Sequence, residues 1–432
     1  MNIEIRRKKL DEINQNETPY MTGIRIRYKG ENKEFNAYKI PLEYLIYNKS
    51  NGRIGSLVKS YEKESHPLDP EVPEHAAIIE SFLDIASEER NDTTKSSLVR
   101  DGQKLYGIVT NDGVIIDGNR RAMLLNQIYR TRASYEEKNV NVDHAAFFIG
   151  VILPQGADPK EISRLETTYQ MGEDEKLDYN PIEKYLKCKD LLEFFDITDI
   201  ADMMGEKKST IENWLSIMQL MDDYLKYLSY DGIYTRLDKR EGQFVDLERY
   251  LAAYKKSSSK VNWNYKEDDI VDLKSVCFDY IRAQYEGKEF RIIAQPNEER
   301  SLFCKESVWK RFLEAHSNTV EPINETEKSV DQYRQENQGE DISKLLASRD
   351  NDWKEKVKDH LKGNLARADN ENRMANDANE PLKLVNEAIQ ALESINIDAR
   401  AFYSTSVESR LAEINRIAWD YRKLIKHKVN GN

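Results

Sequence analysis

The sequence predicts an α+β domain at the amino terminus, then an all-α helix-turn-helix region, then a C-terminal helical, coiled-coil-like region. Two observations support this fold class. Residues 24–46 alternate apolar and polar side chains and include β-branched and aromatic residues, as half-buried strands do. Beyond Leu177 helix signals replace the strand pattern, beginning with Asn180-Pro181, which places proline at a first helical position.

The predicted N-terminal domain alternates short strands and helices. Three prolines between residues 67 and 73 forbid a helix or a central strand and predict a loop, and residues 74–90 return to helical spacing. The segments LYGIVT and GVIIDG are joined by Asn111-Asp112-Gly113, which predicts a hairpin. The remaining predicted elements are a helix at about 121–132, a strand at 145–153 and a helix at about 159–170.

Changes in composition divide the rest of the chain. Polar residues at 317–341 predict a linker, and an Asn-rich stretch at 363–381 predicts an interhelical loop, because both are poor in apolar residues. The last helix carries a coiled-coil-like stripe formed by Val407, Leu411, Ile414, Ala418, Tyr421 and Leu424 or Ile425. The predicted parts are 1–172 (α+β domain), 173–255 (helix-turn-helix domain), 256–316 (helical extension), 317–341 (linker) and 342–432 (C-terminal helical hairpin).

Composition excludes several classes of protein. With 65 basic and 77 acidic residues among 432, the net charge of −12 argues against indiscriminate coating of nucleic acid, although a local basic patch can still bind phosphate. The apolar run at 145–153 is far shorter than the ~18 residues that a membrane span needs. Three widely spaced cysteines predict neither a disulfide framework nor a zinc ribbon. We therefore expect a cytoplasmic protein with no membrane partner.

The most informative segment is Gly113 to Leu125, GVIIDGNRRAMLL, in which a strand ends at Asp117-Gly118 and a helix follows at once. The start of a helix offers unpaired N–H groups, and Arg120 and Arg121 beside them favour a phosphate site. Arginine at a helix N-terminus is otherwise unfavourable because it opposes the helix dipole. An internal ion pair with Asp117 or Glu166 is the alternative explanation for these arginines.

This segment resembles the N-terminal domain of the ParB and sulfiredoxin superfamily. The resemblance includes KIPLEYLIYNKSNGRI and LYGIVTNDGVIIDGNRRAMLL, and continues in LDYNPIEKYLKCKDLL, which is similar to the Asn-Pro-x-Glu helix that leads into the ParB helix-turn-helix. It covers about half of the chain, residues 38–235 with insertions. It implies a ParB/sulfiredoxin-like fold that holds a nucleoside triphosphate, CTP or ATP, with Mg²⁺.

The resemblance also implies the residues that bind the nucleotide. The turn glycine and arginines of the family fall on Gly118, Arg120 and Arg121, and the closing arginine of an early loop falls on Arg53. Asn119 stands where partition proteins have glutamate and sulfiredoxins have their catalytic cysteine, so sulfiredoxin chemistry is excluded. The other residues expected at the nucleotide are Gly102, Gln103, Asn119 and Thr167.

The family's Glu-Asn pair, which contacts nucleotide and Mg²⁺, would fall on Glu166-Thr167. Threonine is a weak metal ligand, so hydrolysis is less expected than binding. If the protein is an enzyme, Glu166 and Asp117 are the candidate catalytic carboxylates and Glu166 is the candidate metal ligand, because Mg²⁺ needs only one or two protein carboxylates beside phosphates. A buried structural Glu166 is the alternative.

The helix-turn-helix is predicted at residues 197–218, with its turn at Gly205. The start of its second helix would meet base edges. Residues 185–230 contain five lysines and no arginine against nine acidic residues, which is a poor balance for gripping a phosphate backbone. The residues expected at DNA are Lys207, Lys208, Ser209, Thr210 and Asn213, and a protein-contact helix bundle is the alternative.

The leading hypothesis is therefore a ParB-like, DNA-associated protein that acts as a nucleotide-dependent switch in partition, a mobile element or phage defence. One alternative is a metal-dependent nuclease or NTPase of the same superfamily. Another is a non-catalytic adaptor. The stripe of the last helix predicts a homodimer or a protein partner.

Overall fold

The computed structural model describes residues 1–171, 179–256, 261, 263–296, 300–337 and 340–429, without the side chains of 374–380, 383 and 427–429. The chain divides into two compact units, Met1–Leu365 and Ala366–Asn432. The predicted boundary between residues 172 and 173 lies outside the described residues.

The first unit contains a small mixed sheet of five strands in the order β1-β2-β5-β3-β4. Only the β3–β5 pair is parallel; β1–β2, β2–β5 and β3–β4 are antiparallel. The predicted hairpin at Asn111-Asp112-Gly113 is present. β1 and β2 form a further hairpin, in which Lys29 and Gly30 make the turn with positive φ angles, as a tight two-residue turn requires. The strands are β1 (Met21–Tyr28), β2 (Glu31–Pro41), β3 (Gly107–Val109), β4 (Ile115–Asp117) and β5 (Phe147–Ile152).

Helices cover both faces of the sheet. One core includes Ile40, Val109 and Phe148 together with the buried face of the helix that begins at Asn119. The second core includes Ile26 and Ile108 and packs against the helix that begins at Pro159. The helices up to this point are α1 (Ile3–Asn16), α2 (Gly55–Glu64), α3 (Pro73–Ile85), α4 (Glu88–Asp101), α5 (Asn119–Arg130), α6 (Arg132–Glu136) and α7 (Pro159–Met171).

The described chain after α7 contains helices and no strand, so the α+β part followed by an all-α part is confirmed. Asn180 caps the first of these helices through a side-chain bond to the N–H of Ile182, and Pro181 follows it, as predicted. The helices are α8 (Pro181–Leu191), α9 (Ile197–Met204), α10 (Lys208–Tyr227), α11 (Glu241–Lys255), α12 (Glu267–Arg282), α13 (Glu289–Ala294), α14 (Glu306–Glu325), α15 (Val330–Glu336), α16 (Ile342–Glu393) and α17 (Thr405–Val429).

Two segments predicted to be irregular are helical. The proposed linker at 317–341 overlaps the end of α14 and all of α15, because buried Val320 anchors an otherwise polar helix and Ser329 caps the next one. The proposed loop at 363–381 lies inside α16, where the i,i+4 ion pair between Asp369 and Arg373 supports a polar helical stretch. Few buried residues are needed to keep a polar segment helical once it continues an anchored helix.

The predicted C-terminal part, 342–432, is divided between the two units at Leu365. Before this point α16 contributes buried Leu346, Trp353 and Leu361 to the first unit. In the second unit the predicted stripe of α17 lies at the surface, with Ile414, Tyr421, Leu424 and Ile425 exposed. Among the described residues, the helices are too short or too polar for any of them to cross a membrane.

Candidate functional site

The turn between β4 and α5 lies at a cavity of about 250 Å³. The cavity brings together Arg53 from the loop before α2 and Arg120 and Arg121 from the first turn of α5. These are the three arginines that the sequence placed at a phosphate site. The predicted residues Asp117, Gly118 and Asn119 line the same cavity.

Gly118 makes the sharp change from strand to helix possible. Its φ angle is +101°, a conformation that residues with a Cβ rarely adopt, and an added Cβ would lie 2.7 Å from the ring of Phe148. The side chain of Asn119 accepts the N–H of Asn48 at 2.8 Å and donates to the carbonyl of Ile115 at 2.9 Å. Asn119 therefore fixes the turn with its side chain, while the first backbone N–H groups of α5 remain without helical acceptors.

Arg120 has no acidic partner among the residues that the structure describes. Its Nε donates to Asn91 Oδ1 at 2.8 Å and its Nη2 donates to Thr94 Oγ1 at 2.9 Å, and both acceptors are neutral. Burial lowers the pKa of Arg120, and the nearby positive charges of Arg53 and Arg90 lower it further. An anion in the cavity would relieve this repulsion and accept charge-assisted hydrogen bonds.

Arg121 has a different role. Its Nη2 forms a 2.8 Å ion pair with Asp117, four residues earlier, and its Nη1 donates to the carbonyl of Leu105 at 2.7 Å. The alternative of an internal ion pair with Asp117 therefore describes Arg121 and not Arg120. Asp117, the second candidate catalytic carboxylate, is held by this pair.

Arg53 is carried by residues 48–55, which we call the Arg53 loop. Its guanidinium lies 5.0 Å from the centre of the buried Tyr179 ring, at cation–π distance. The Oδ1 atom of Asn51 accepts the backbone N–H of Arg53 at 3.0 Å and so fixes the loop locally. A stacked, half-buried guanidinium keeps its donors available for a ligand.

Glu166 lies on the other side of the Arg53 loop. Its Oε1 accepts the N–H of Gly52 at 2.8 Å, and its Oε2 forms a 2.6 Å ion pair with Lys187 of α8. Both side chains are buried, with 2% and 7% of their surface exposed. They line a second cavity of about 450 Å³, not the arginine cavity, so the contacts agree with the alternative of a structural Glu166.

The side chain of the neighbouring Thr167 also has a hydrogen-bond partner within the protein. It is buried, and its hydroxyl donates to the carbonyl of Ser163 at 2.8 Å. Across the described ranges, no group of three or more His, Cys, Asp or Glu side chains is arranged to hold a metal ion. Because Glu166 and Asp117 are both committed to ion pairs, the carboxylates do not fit a resident Mg²⁺.

Gly102 and Gln103, also expected at the nucleotide, do not line the arginine cavity. Gly102 ends α4 with a φ angle of +72°. Gln103 is buried and bridges two segments, accepting the N–H of Ile149 at 2.9 Å and donating to the carbonyls of Ile149 and Leu105 at 2.7 and 2.8 Å. It therefore fixes the chain beside the cavity.

Two helices joined by a short turn, α9 and α10, lie where the helix-turn-helix was predicted. Gly205 caps the end of α9 in the left-handed conformation with a φ angle of +69°, and α10 begins three residues after it, at Lys208. The start of α10 is open to solvent: the predicted contact residues Lys207, Lys208, Ser209 and Asn213 are exposed and Thr210 is half-buried. Acidic Glu206 and Glu212 are exposed beside them.

Sequence reasoning missed several residues at the arginine cavity, among them the lining residues Thr94, Leu105 and Gln170, and Asn91, which binds Arg120. Asn91 and Thr94 lie on α4, a polar helix whose sequence contains no motif that indicates a binding site. Leu105 belongs to a segment that was assigned to a strand, and the strand begins only at Gly107. Gln170 lines the cavity, is buried, and has no hydrogen-bond partner for its Oε1 among the described residues.

Comparison with known proteins gives no assignment. The chain matches no model of a known protein family and no curated protein. The function is therefore argued from the residues of the cavity and of the helix-turn-helix.

Proposed function

We propose that this protein binds a nucleoside triphosphate, CTP or ATP, in the arginine cavity and DNA through α9 and α10, as a cytoplasmic, nucleotide-dependent switch of the ParB-like kind. Any Mg²⁺ would enter with the triphosphate, because the two candidate carboxylates, Asp117 and Glu166, are already paired. The buried free thiols of Cys188 and Cys277 suit a reducing compartment.

One observation carries the nucleotide proposal. Among the described residues, Arg120 is bonded only to neutral acceptors and lies near Arg53 and Arg90, so no described carboxylate compensates its charge. Burying a guanidinium beside like charges is unfavourable unless a ligand supplies the opposite charge. A triphosphate carries several negative charges and suits this site better than a singly charged anion.

The Arg53 loop supports the switch. On one side the loop presents Arg53 to the cavity; on the other, Gly52 is bonded to Glu166 of α7, and Ser56, just after the loop, is bonded to Glu183 of α8. α8 packs against α10, the helix proposed to read DNA. A ligand that moves Arg53 would therefore act on the helices that carry the DNA-binding surface.

The alternatives receive less support. Hydrolysis by Glu166 would require breaking its buried ion pair with Lys187, so we rank the nuclease or NTPase below the binding protein. The adaptor is favoured by the acidic surroundings of α10 and by the exposed stripe of α17. We propose that this stripe takes a second copy of the chain or a protein partner; Ile414→Ser with Leu424→Ser should then lower the mass measured by sedimentation.

The nucleotide proposal is tested by thermal unfolding with CTP, ATP, GTP or UTP plus Mg²⁺. A ligand at ~100 times its Kd adds about 2.7 kcal/mol to the free energy of unfolding. We expect a selective rise in melting temperature that Arg120→Ala abolishes and that Arg132→Ala, an exposed arginine after α5, preserves. If no nucleotide raises the melting temperature, the adaptor becomes the better account.

DNA binding is tested with Lys208→Glu. A lost phosphate contact should weaken binding and reduce the slope of log K against log salt concentration by about 1. Lys226→Glu makes the same charge change in the last turn of α10 and should leave the slope unchanged. Equal effects of the two substitutions would contradict a DNA contact at the start of α10.

A further inference from the structure

Leu105 is mostly exposed to solvent, yet two hydrogen bonds hold its backbone carbonyl in place. Its residue surface is 69% exposed, yet its carbonyl accepts hydrogen bonds from Gln103 Nε2 at 2.8 Å and from Arg121 Nη1 at 2.7 Å. A single exposed leucine on a surface needs no explanation. This one is held at the arginine cavity by a buried side chain and by one of the cavity's own arginines.

The cavity therefore has two chemically different walls. Arg53, Arg120 and Arg121 supply positive charge, whereas Leu83, Ala86 and Leu105 supply apolar surface. An inorganic phosphate or polyphosphate would use the arginines and gain nothing from the apolar wall. Ligand sites commonly combine apolar walls with a few polar groups that fix orientation.

We propose that Leu105 is a specificity-determining residue that packs against the base or sugar of a nucleotide whose phosphates meet the arginines. The ligand class is then a nucleotide and not an inorganic polyphosphate. This inference rests on the proposed function, and it names Leu105 as the residue that distinguishes a nucleotide from an inorganic polyphosphate. Because hydrophobic packing is short-ranged, the discrimination depends on the Leu105 side chain and not on the charge of the cavity.

The test compares the Kd of CTP, ATP and inorganic triphosphate for the full-length protein by calorimetric titration at one salt concentration. Leu105→Ala should weaken binding of the preferred nucleotide by about tenfold, the loss expected when several buried carbon atoms are removed, and leave triphosphate unchanged. Leu105→Met, which keeps the apolar surface, should retain nucleotide binding. Leu192→Ala removes the same atoms at a 44% exposed position outside the cavity and should change neither Kd.

The outcomes separate this inference from the proposed function. Equal affinity for nucleotide and triphosphate, unchanged by Leu105→Ala, would overturn the role of Leu105 while leaving anion binding by the arginines intact. Failure of both ligands to bind would contradict the proposed function as well. Loss of both affinities in Leu105→Ala would mean that the residue only supports Arg121, and would also overturn the inference.

Discussion

The two sides of the Arg53 loop both contain charged side chains that are buried or half-buried. The charges are paired on one side and have only neutral partners on the other. On one side, Glu166 and Lys187 form a buried pair in which each charge is compensated. On the other, Arg120 is half-buried with neutral partners and near two further arginines. A buried charge that is already paired is part of the fold, whereas one that lacks compensation points to a ligand. The sequence indicated both Glu166 and Arg120 as candidate site residues, and their partners in the structure distinguish the two roles.

The largest expected effect is on the paired side. Lys187→Met would leave the Glu166 carboxylate buried without its cation, so we expect a loss of about 3–5 kcal/mol in the free energy of unfolding, measured by denaturant titration. Adding Glu166→Gln to this variant should recover most of the loss, because Gln keeps the acceptor for the N–H of Gly52. Lys59→Met breaks a solvent-exposed pair with Asp190 at the same cavity and should cost less than about 1 kcal/mol.

A small effect of Lys187→Met, no larger than that of Lys59→Met, would contradict the structural role of Glu166. Glu166 would then again be a candidate catalytic residue. The distinction between the two sides of the loop would then fail.

Glu183 is a third case, a buried carboxylate that is hydrogen-bonded but has no cationic partner in the described part of the chain. Burial raises its pKa from 4.5 to about 7, although bonds from Ser56 oppose the shift. The folded protein therefore holds a proton that the unfolded chain releases, and stability falls as pH rises from about 4.5 to 7. Glu183→Gln should remove this penalty and stabilise the protein at pH 8 relative to the wild type by up to about 3 kcal/mol.

The check is the melting temperature of both proteins at pH 4.5 and pH 8. The gain from Glu183→Gln should be present at pH 8 and nearly absent at pH 4.5, where the carboxyl group is protonated in the folded state. A gain of equal size at both values would show that the substitution acts through packing and not through the charge.

The smallest expected effect is on the unpaired side, in the protein without ligand. Arg120→Ala loses bonds to Asn91 and Thr94 but also removes repulsion from Arg53 and Arg90. We expect the free energy of unfolding to change by less than about 1 kcal/mol, measured in the same titration as Lys187→Met. A loss of several kcal/mol would mean that Arg120, like Lys187, belongs to the fold.

Local signals predicted much of the fold. Alternation gave the two long strands, Asn111-Asp112-Gly113 gave the second hairpin, and Gly118 marked the turn into α5. The turn between α9 and α10 was predictable because Gly205 readily adopts the left-handed conformation that ends the short amphipathic helix α9. Each of these features depends on residues that are neighbours in sequence.

The division of roles within the site could not be predicted. Arg120 and Arg121 are adjacent, but Arg121 pairs with Asp117 and bonds to the carbonyl of Leu105 before β3, whereas Arg120 bonds to Asn91 on α4. Glu166 forms its ion pair with Lys187 on α8, the next described helix. These contacts are set by tertiary packing, so spacing alone left both explanations open for every charged candidate.

If positive charge on the Arg120 side of the loop forms an anion site, nucleotide binding must depend on Arg120. The most direct test is calorimetric titration of the full-length protein with the nucleoside triphosphate that stabilises it best, using wild type, Arg120→Ala and Arg132→Ala. The account predicts that Arg120→Ala weakens binding by at least about tenfold, the cost of a lost charge-assisted hydrogen bond, while Arg132→Ala binds as the wild type does. Equal binding by all three proteins would contradict it.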